Sequence, residues 1–326
     1  MMKWYERVDR ERPAVISSRI RLVRNWNQYV FPSRLTPDAG EEIIRQLKYG
    51  LRELGTADGR DYEYEDLQKL SELDKKALRE RRVINSTIAA KKTPAGLILS
   101  EEEDAGIVLN GTDHIRIQLL SAGMHLEELW KQADRIDDFI NEKFEYAFDE
   151  KYGYLTSFPT NMGTGLRASV VLHLPSLSMG KKFHGLTSEM SRFGATVRSV
   201  YGDENENYGA LYEVSNQKTL GISEKEILDL VTTEIAFVLD PKQEGGEKES
   251  DQDIAERVES TDGGKETLTD GGVDLAETDE AGADPDQKNT DAGTEASGSG
   301  NSDPEAIELP SSYDIREHRT VSVSDQ

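Results

Sequence analysis

The chain of 326 residues carries 63 Asp+Glu against 39 Lys+Arg, a net charge of −24, and no cysteine. Without thiols there are no disulfides, thiolate metal centres or cysteine nucleophiles. The acidity is uneven, since residues 243–326 hold 24 acids and 6 bases, and the nearly balanced remainder lacks the basic footprint that nucleic-acid binding needs.

The first twenty residues contain no apolar h-region, and no apolar run reaches the ~18–20 residues of a membrane span. The expectation is a soluble cytoplasmic chain that uses neither membrane nor nucleic acid. In chain order, SSRIRLVR (17–24) reads as an extended segment with Arg19 and Arg21 on one face. Residues 38–54 place Ile43, Ile44, Leu47, Leu51 and Leu54 at helical spacing, with Gly55 as the stop. GLILS (96–100), AGIVLN (105–110) and HIRIQLL (114–120) read as strands. The loops between them, about three to five residues, are too short for helical crossovers and predict antiparallel pairing. Residues 126–148 repeat apolar positions as a helix does; ASVVLHL (168–174), ATVRSVY (195–201) and GALYEVSN (209–216) read as further strands.

Ser223 and Glu226 form a capping box for a final helix that Leu239 closes and Asp240-Pro241 stops. The pattern predicts an α+β domain over residues 1–242, with helices packed on a largely antiparallel sheet. Residues 243–326 have one aromatic, Tyr313, and few branched aliphatics. Such a composition cannot offset ~1–2 kcal/mol of backbone entropy per residue, so a disordered acidic tail is expected. AIELPSSYDI (306–315) is an acidic-apolar patch within it.

The arginines are the informative residues. Arg116 lies on the polar face of HIRIQLL, Arg167 leads ASVVLHL, Arg198 interrupts ATVRSVY, and Arg19 and Arg21 share a face. A lone arginine is usually a surface ion-pair partner. Arginines on the polar faces of several strands of one sheet converge, and such a cluster repels itself unless an anion fills it. Guanidinium forks match phosphate oxygens. Gly163 and Gly165 just ahead of Arg167 would allow close backbone approach. Together these features predict a nucleoside triphosphate site.

At this point SSRIRLVRN (17–25), NGTDHIRIQ (110–118), YGYLTSFPTNMGTGLRASVVLHLP (152–175), VRSVYGDENE (197–206) and SNQKTLGISEKEI (215–227) together resemble the ATP:guanidino phosphotransferases, the phosphagen kinase family. The likeness is nearest to the bacterial protein-arginine kinases and runs over roughly residues 12–238. It implies the family's glutamine-synthetase-like catalytic domain, a curved antiparallel sheet flanked by helices. It also implies ATP or ADP with Mg²⁺ as ligand and arginine-containing proteins as acceptors, with no metal ligand assigned within the chain. The family's nucleotide site falls on Ser17, Ser18, Arg19, Ile20 and Arg21, on Arg116, on Arg167, Ala168, Ser169, Val170 and Val171, and on Arg198, Ser199, Val200, Tyr201, Gly202 and Asp203. A further contact, histidine in the protein-arginine kinases, falls on Arg82.

The acceptor half departs from the family pattern. A guanidinium has a pKa of about 13.8, so a neutral nitrogen nucleophile is scarce at pH 7. The family answers with carboxylates that clamp the guanidinium and take its proton, and with a nearby cysteine. Here Gly111-Thr112 replaces the family's Glu-Glu pair, Phe158 replaces the cysteine, and Asp203 replaces a glutamate. The resemblance therefore implies an ATP-binding protein in which phosphoryl transfer to arginine is weak or lost, a pseudokinase. The alternatives are an active guanidino kinase that takes Asp113, Asp203, Glu204 or Glu206 as base, an altered acceptor, or drift in a copy without function. Where protein-arginine kinases carry a helical domain for dimerisation and client recognition, this chain has its acidic tail, so the oligomeric state stays open.

Overall fold

The structure is a computed structural model and describes residues 2–175, 183–201 and 208–239. The expected acidic tail, and Gly202, Asp203, Glu204 and Glu206, lie outside the described residues. In chain order the strands are β1 (Val15–Arg24), β2 (Tyr62–Asp66), β3 (Gly96–Ser100), β4 (Ala105–Leu109), β5 (Ile115–Ala122), β6 (Phe148–Asp149), β7 (Gly153–Tyr154), β8 (Leu166–His173), β9 (Ala195–Ser199) and β10 (Leu211–Asn216). Eight of them form one sheet in the order β2-β3-β4-β5-β1-β8-β10-β9, while β6 and β7 make a separate ribbon. Every pairing is antiparallel.

The helices are α1 (Pro37–Gly50), α2 (Gly55–Asp58), α3 (Glu72–Glu80), α4 (Ser86–Ala89) and α5 (Leu126–Asn141), followed by Phe183–Phe193 and Glu224–Leu239. Strand alternation sends Ile20 and Leu22 of β1, Ile115 and Ile117 of β5, and Ala168 and Val170 of β8 to one face. There they are buried with Ile43 and Leu47 of α1, Ala133 and Ile136 of α5, and Ile227 and Val231 of the last helix. Each large aliphatic so buried contributes roughly 1.5–3 kcal/mol. The opposite face carries a second, smaller core at one end only, where Leu67, Leu78, Val83, Ile84 and Ile88 pack on Leu97 of β3 and Val108 of β4. The segment 67–95 thus roofs one end of that face, and the arginines line the remainder.

The expected α+β class and antiparallel sheet are what the structure has. Several strand ends shift by a residue or two, and three boundaries differ in ways that bear on the packing. Gly55 opens α2 instead of stopping α1, which ends at Gly50 with Leu51 as its C-cap. The helix expected over 126–148 stops at Asn141. Phe144 and Tyr146 turn into the core, and Ala147 N–H donates to the Asn25 carbonyl at 2.7 Å, so apolar spacing past 141 reflects packing and not helix. The arginine segment is longer than expected, running from Val15. The final capping box is present: Ser223 N–H donates to Glu226 Oε2 at 2.8 Å, and Glu226 N–H donates to Ser223 Oγ at 3.3 Å. Among the described residues no helix is long and apolar enough to cross a membrane.

Candidate functional site

The register of the central strands assembles the arginine face. Arg21 on β1 stands between Gln118 on β5 and Arg167 on β8. One pleat toward the N-terminus, Arg19 stands beside Ser169, and one pleat the other way Val23 stands beside Arg116. Ser17 neighbours Val171, which neighbours Glu213 on β10, which in turn faces Arg198 on β9. Neighbouring strands are roughly 4.8 Å apart, so these side chains form one continuous field.

Arg19, Arg21 and Arg116 are 8%, 4% and 5% exposed, which is unusual burial for cations. Polar partners hold them, Arg19 also through the Glu213 carboxylate at 2.8 Å. Arg19 Nε donates to Ser169 Oγ at 3.2 Å, Arg21 Nη2 to Asn161 Oδ1 at 2.9 Å, and Arg116 Nη2 to Gln118 Oε1 at 3.3 Å. Arg167 Nη1 donates to the Asn216 carbonyl at 3.0 Å. Gln118 Nε2 in turn donates to the carbonyls of Arg82 and Val83, which fixes the roof segment over the sheet. Arg82 itself has a positive φ of 62°, rare for a side-chain-bearing residue. Its guanidinium reaches down to Ser17 Oγ at 3.2 Å and to the Glu213 carboxylate. Tyr201 Oη donates to the Glu80 carbonyl at 3.4 Å, closing the same wall from the β9 side, and burial pushes that phenol's pKa up.

Not every residue expected at the nucleotide site turns its side chain toward it. Ile20, Ala168 and Val170 are in the helix-covered core. Ser18 is buried on that side too, where its Oγ donates to the Gly123 carbonyl at 2.6 Å. Ser199 Oγ donates to the Tyr201 carbonyl at 2.7 Å, and Val200 N–H donates to the Leu211 carbonyl, so both shape the end of β9. The expectation for Gly163 and Gly165 needs correction. A Cβ at Gly163 would lie 2.3 Å from the Thr219 carbonyl oxygen, and one at Gly165 would lie 2.6 Å from Arg24 Nη1. The close approach at these glycines is the chain's own packing.

The acceptor-side positions also come together. Thr112 sits in the turn between β4 and β5, and its carbonyl accepts Ser157 Oγ at 2.8 Å. Phe158 follows directly and is 36% exposed. Its carbonyl accepts Thr156 Oγ1 at 2.7 Å. Three residues on, Asn161 holds Arg21, so the Phe158 loop is tied to the arginine face. Asp113 is 1% exposed, and its Oδ1 accepts Asn25 Nδ2 and Ser157 N–H, both at 2.7 Å. That geometry makes Asp113 a latch for the loop and not an accessible base. Lys91 donates to the carbonyls of Asn110 and Gly111 at 2.5 and 2.6 Å, and burial pulls its pKa down to about 8.

Sequence reasoning missed Glu213, Asn161 and Lys91. Glu213 had a signal, since it shares the polar face of GALYEVSN, but its neighbours come from other strands. Asn161 and Lys91 lie in loops whose placement no periodicity encodes.

A family model for the ATP:guanido phosphotransferase C-terminal catalytic domain matches residues 42–243. The protein-arginine kinase of Caldanaerobacter subterraneus subsp. tengcongensis is 38% identical over 219 residues, covering 67% of this chain and 65% of that one. The protein-arginine kinase of Clostridium acetobutylicum is 37% identical over 240 residues, covering 73% and 70%. Among solved structures, lombricine kinase is similar with a TM-score of 0.59 at 24% identity, covering 70% of this chain and 66% of that one. The duplicated taurocyamine kinase of Schistosoma mansoni with bound transition state analog components gives a TM-score of 0.58 at 23% identity, covering 72% and 34%. The two structures share the fold. This chain belongs to the ATP:guanido phosphotransferase family, and it spans about two thirds of the length of the curated relatives it matches.

Proposed function

We propose that residues 1–242 form an ATP- or ADP-binding unit whose phosphate chain lies on the arginine face, and that transfer to an arginine guanidinium is weak or lost. The observation that carries the first half is the convergence of Arg19, Arg21, Arg116 and Arg167 on one face of three adjoining strands, with Arg19, Arg21 and Arg116 more than nine-tenths buried. Guanidinium forks there suit an anion with several oxygens, and phosphoryl transfer depends mainly on such positioning and charge neutralisation. The residues fit a nucleotide polyphosphate, with Arg82 reaching from the roof and Arg198 from β9. Bound Mg²⁺ would supply further neutralisation of the phosphates.

What supports the second half is chemical identity at the acceptor positions. The Thr112 hydroxyl cannot take a proton from a guanidinium, and Phe158 fills with a ring the place of the family's cysteine. Asp203 keeps a charge but is one methylene shorter than the family's glutamate. Loss of a positioned general base costs about 10²–10⁴ in rate. Arginine-bearing proteins remain the acceptor class that the resemblance suggests, and residues 243–326 are read as a tail separate from this unit.

Two measurements test the reading. Calorimetry with Mg-ATP on the parent chain, Arg116→Ala and Arg167→Ala should show about ten- to a hundredfold weakening per arginine lost. Unchanged affinity in both variants, or no binding by the parent, sinks the nucleotide assignment. Phospho-arginine is then sought by mass spectrometry at neutral pH. The parent should give very little, and Thr112→Glu with Phe158→Cys and Asp203→Glu should raise it about 10²-fold. Robust product from the parent chain would show that another carboxylate already serves.

A further inference from the structure

The phosphate-facing side of the sheet holds a carboxylate where an anion is expected to bind. Glu213 Oε1 accepts Arg19 Nη2 at 2.8 Å and also accepts Arg82 Nη2. Arg19 comes from the central strand and Arg82 from the roof, so two guanidinium groups close on one oxygen from two directions. Paired arginines hold a phosphate oxygen in the same way.

Neither arginine relies on Glu213 alone for its place. Arg19 is also anchored by Ser169 Oγ, and Arg82 by Ser17 Oγ, each at 3.2 Å. The backbone of Arg82 is further fixed by the Gln118 amide on its carbonyl. Both arginine side chains and the Glu213 side chain are no more than 20% exposed, so water screens the three charges poorly. The carboxylate therefore fills a corner that its neighbours have already built.

We propose that Glu213 is a resident anion: it occupies the corner between Arg19 and Arg82 while no phosphate is there, and a polyphosphate must displace it to bind. It thereby sets the charge that a ligand needs. A diphosphate or triphosphate brings several charges against one carboxylate, whereas inorganic phosphate is too weak a competitor. The inference rests on the phosphate-binding reading above and specifies how that site discriminates.

The test is calorimetry on the full chain, with sodium pyrophosphate and sodium phosphate at fixed ionic strength. Glu213→Gln keeps the shape and removes the charge. Pyrophosphate should bind this variant about tenfold tighter than the parent, and inorganic phosphate should change from undetectable to measurable. Glu213→Asp keeps the charge but shortens its reach, so that it no longer bridges both arginines; it should tighten pyrophosphate a few-fold. That variant decides the matter if a thermal melt shows the Gln form unfolded. If the parent binds pyrophosphate and neither folded variant binds it more tightly, the carboxylate serves to hold the arginines and the proposal fails, while the phosphate site stands. Absence of binding in parent and variants alike overturns both.

Discussion

Asp113 Oδ1 accepts the backbone N–H of Ser157 at 2.7 Å, and this bond, with that of Ser157 Oγ to the Thr112 carbonyl at 2.8 Å, fastens the turn bearing Thr112 to the loop bearing Phe158. The same oxygen accepts Asn25 Nδ2, and Asn25 Oδ1 accepts the His114 N–H at 2.9 Å. The turn bearing Thr112 and the loop bearing Phe158 are therefore cross-braced to the end of β1, the strand that carries Arg19 and Arg21.

Removing the brace should cost stability. Asp113→Ala removes the acceptor of Ser157 N–H and one of the two acceptors of Asn25 Nδ2, a loss of about 1–3 kcal/mol for a buried group left unsatisfied. Urea denaturation should show a lower midpoint with an unchanged slope. An unchanged midpoint would mean that the loop is held elsewhere.

The buried pair Arg24 and Asp137 makes a stronger case. Arg24 is 1% exposed; its Nη2 donates to Asp137 Oδ2 at 2.7 Å and its guanidinium lies 3.6 Å from the centre of the Tyr154 ring. Asp137→Ala strands a buried cation, a change that typically costs about 3–5 kcal/mol. Equilibrium unfolding should report a loss of that size, and a loss below about 1 kcal/mol contradicts the pair's assigned role.

The pH dependence should trace to His114. Its Nδ1 accepts the Trp26 N–H at 3.1 Å, which leaves Nε2 to donate to the Val30 carbonyl at 3.0 Å, so the ring is neutral with its proton on Nε2. Burial above all, and then the nearby Lys91 charge, pull its pKa from 6.5 down to about 4, against the opposing pull of the Val30 carbonyl. The folded state then binds fewer protons than the unfolded chain between these values. Its contribution is fully present above pH 6.5 and declines as pH falls toward 4, by up to about 3 kcal/mol. Urea midpoints at pH 7 and 5 should differ more for the parent than for His114→Gln; equal differences would place the pH sensitivity elsewhere.

Two glycines should respond in opposite directions. Gly163 has φ 104° and its missing Cβ would meet the Thr219 carbonyl, so Gly163→Ala should lose about 2–4 kcal/mol. Gly185 lies in the helix Phe183–Phe193 with none of the described residues near its absent Cβ, so Gly185→Ala should gain about 0.5–1 kcal/mol. Thermal melts separate the two signs.

Much of this fold was written locally. HIRIQLL alternates so cleanly that Ile115 and Ile117 could be assigned to the core and Arg116 to the opposite face, and both are where the alternation puts them. The final helix announced itself through Ser223 and Glu226. What failed was local information standing in for distant packing. Ala147 keeps helical spacing with Ile140 but pairs with Asn25, over a hundred positions away in the chain. Strand β2 (YEYED) and helix α3 gave too little apolar contrast to declare themselves. The arginine cluster was legible because residue type and strand face suffice to foresee it. The role of Glu213 was not, because it needs the register of β10 on β8 and the position of a roof loop some 130 residues earlier.

The two separate hydrophobic clusters have a mechanical consequence. The roof residues Leu67, Leu78, Val83, Ile84 and Ile88 are anchored in their own small cluster, distinct from the main one under the helices. Such a patch can open as a cooperative unit at lower free energy than the whole domain. The wall that carries Arg82 is then the least costly part of the cleft to lift, and its amides should exchange hydrogen sooner than those of β1. Five aliphatic side chains, two of them next in the chain to Arg82, should thus set how readily that wall yields.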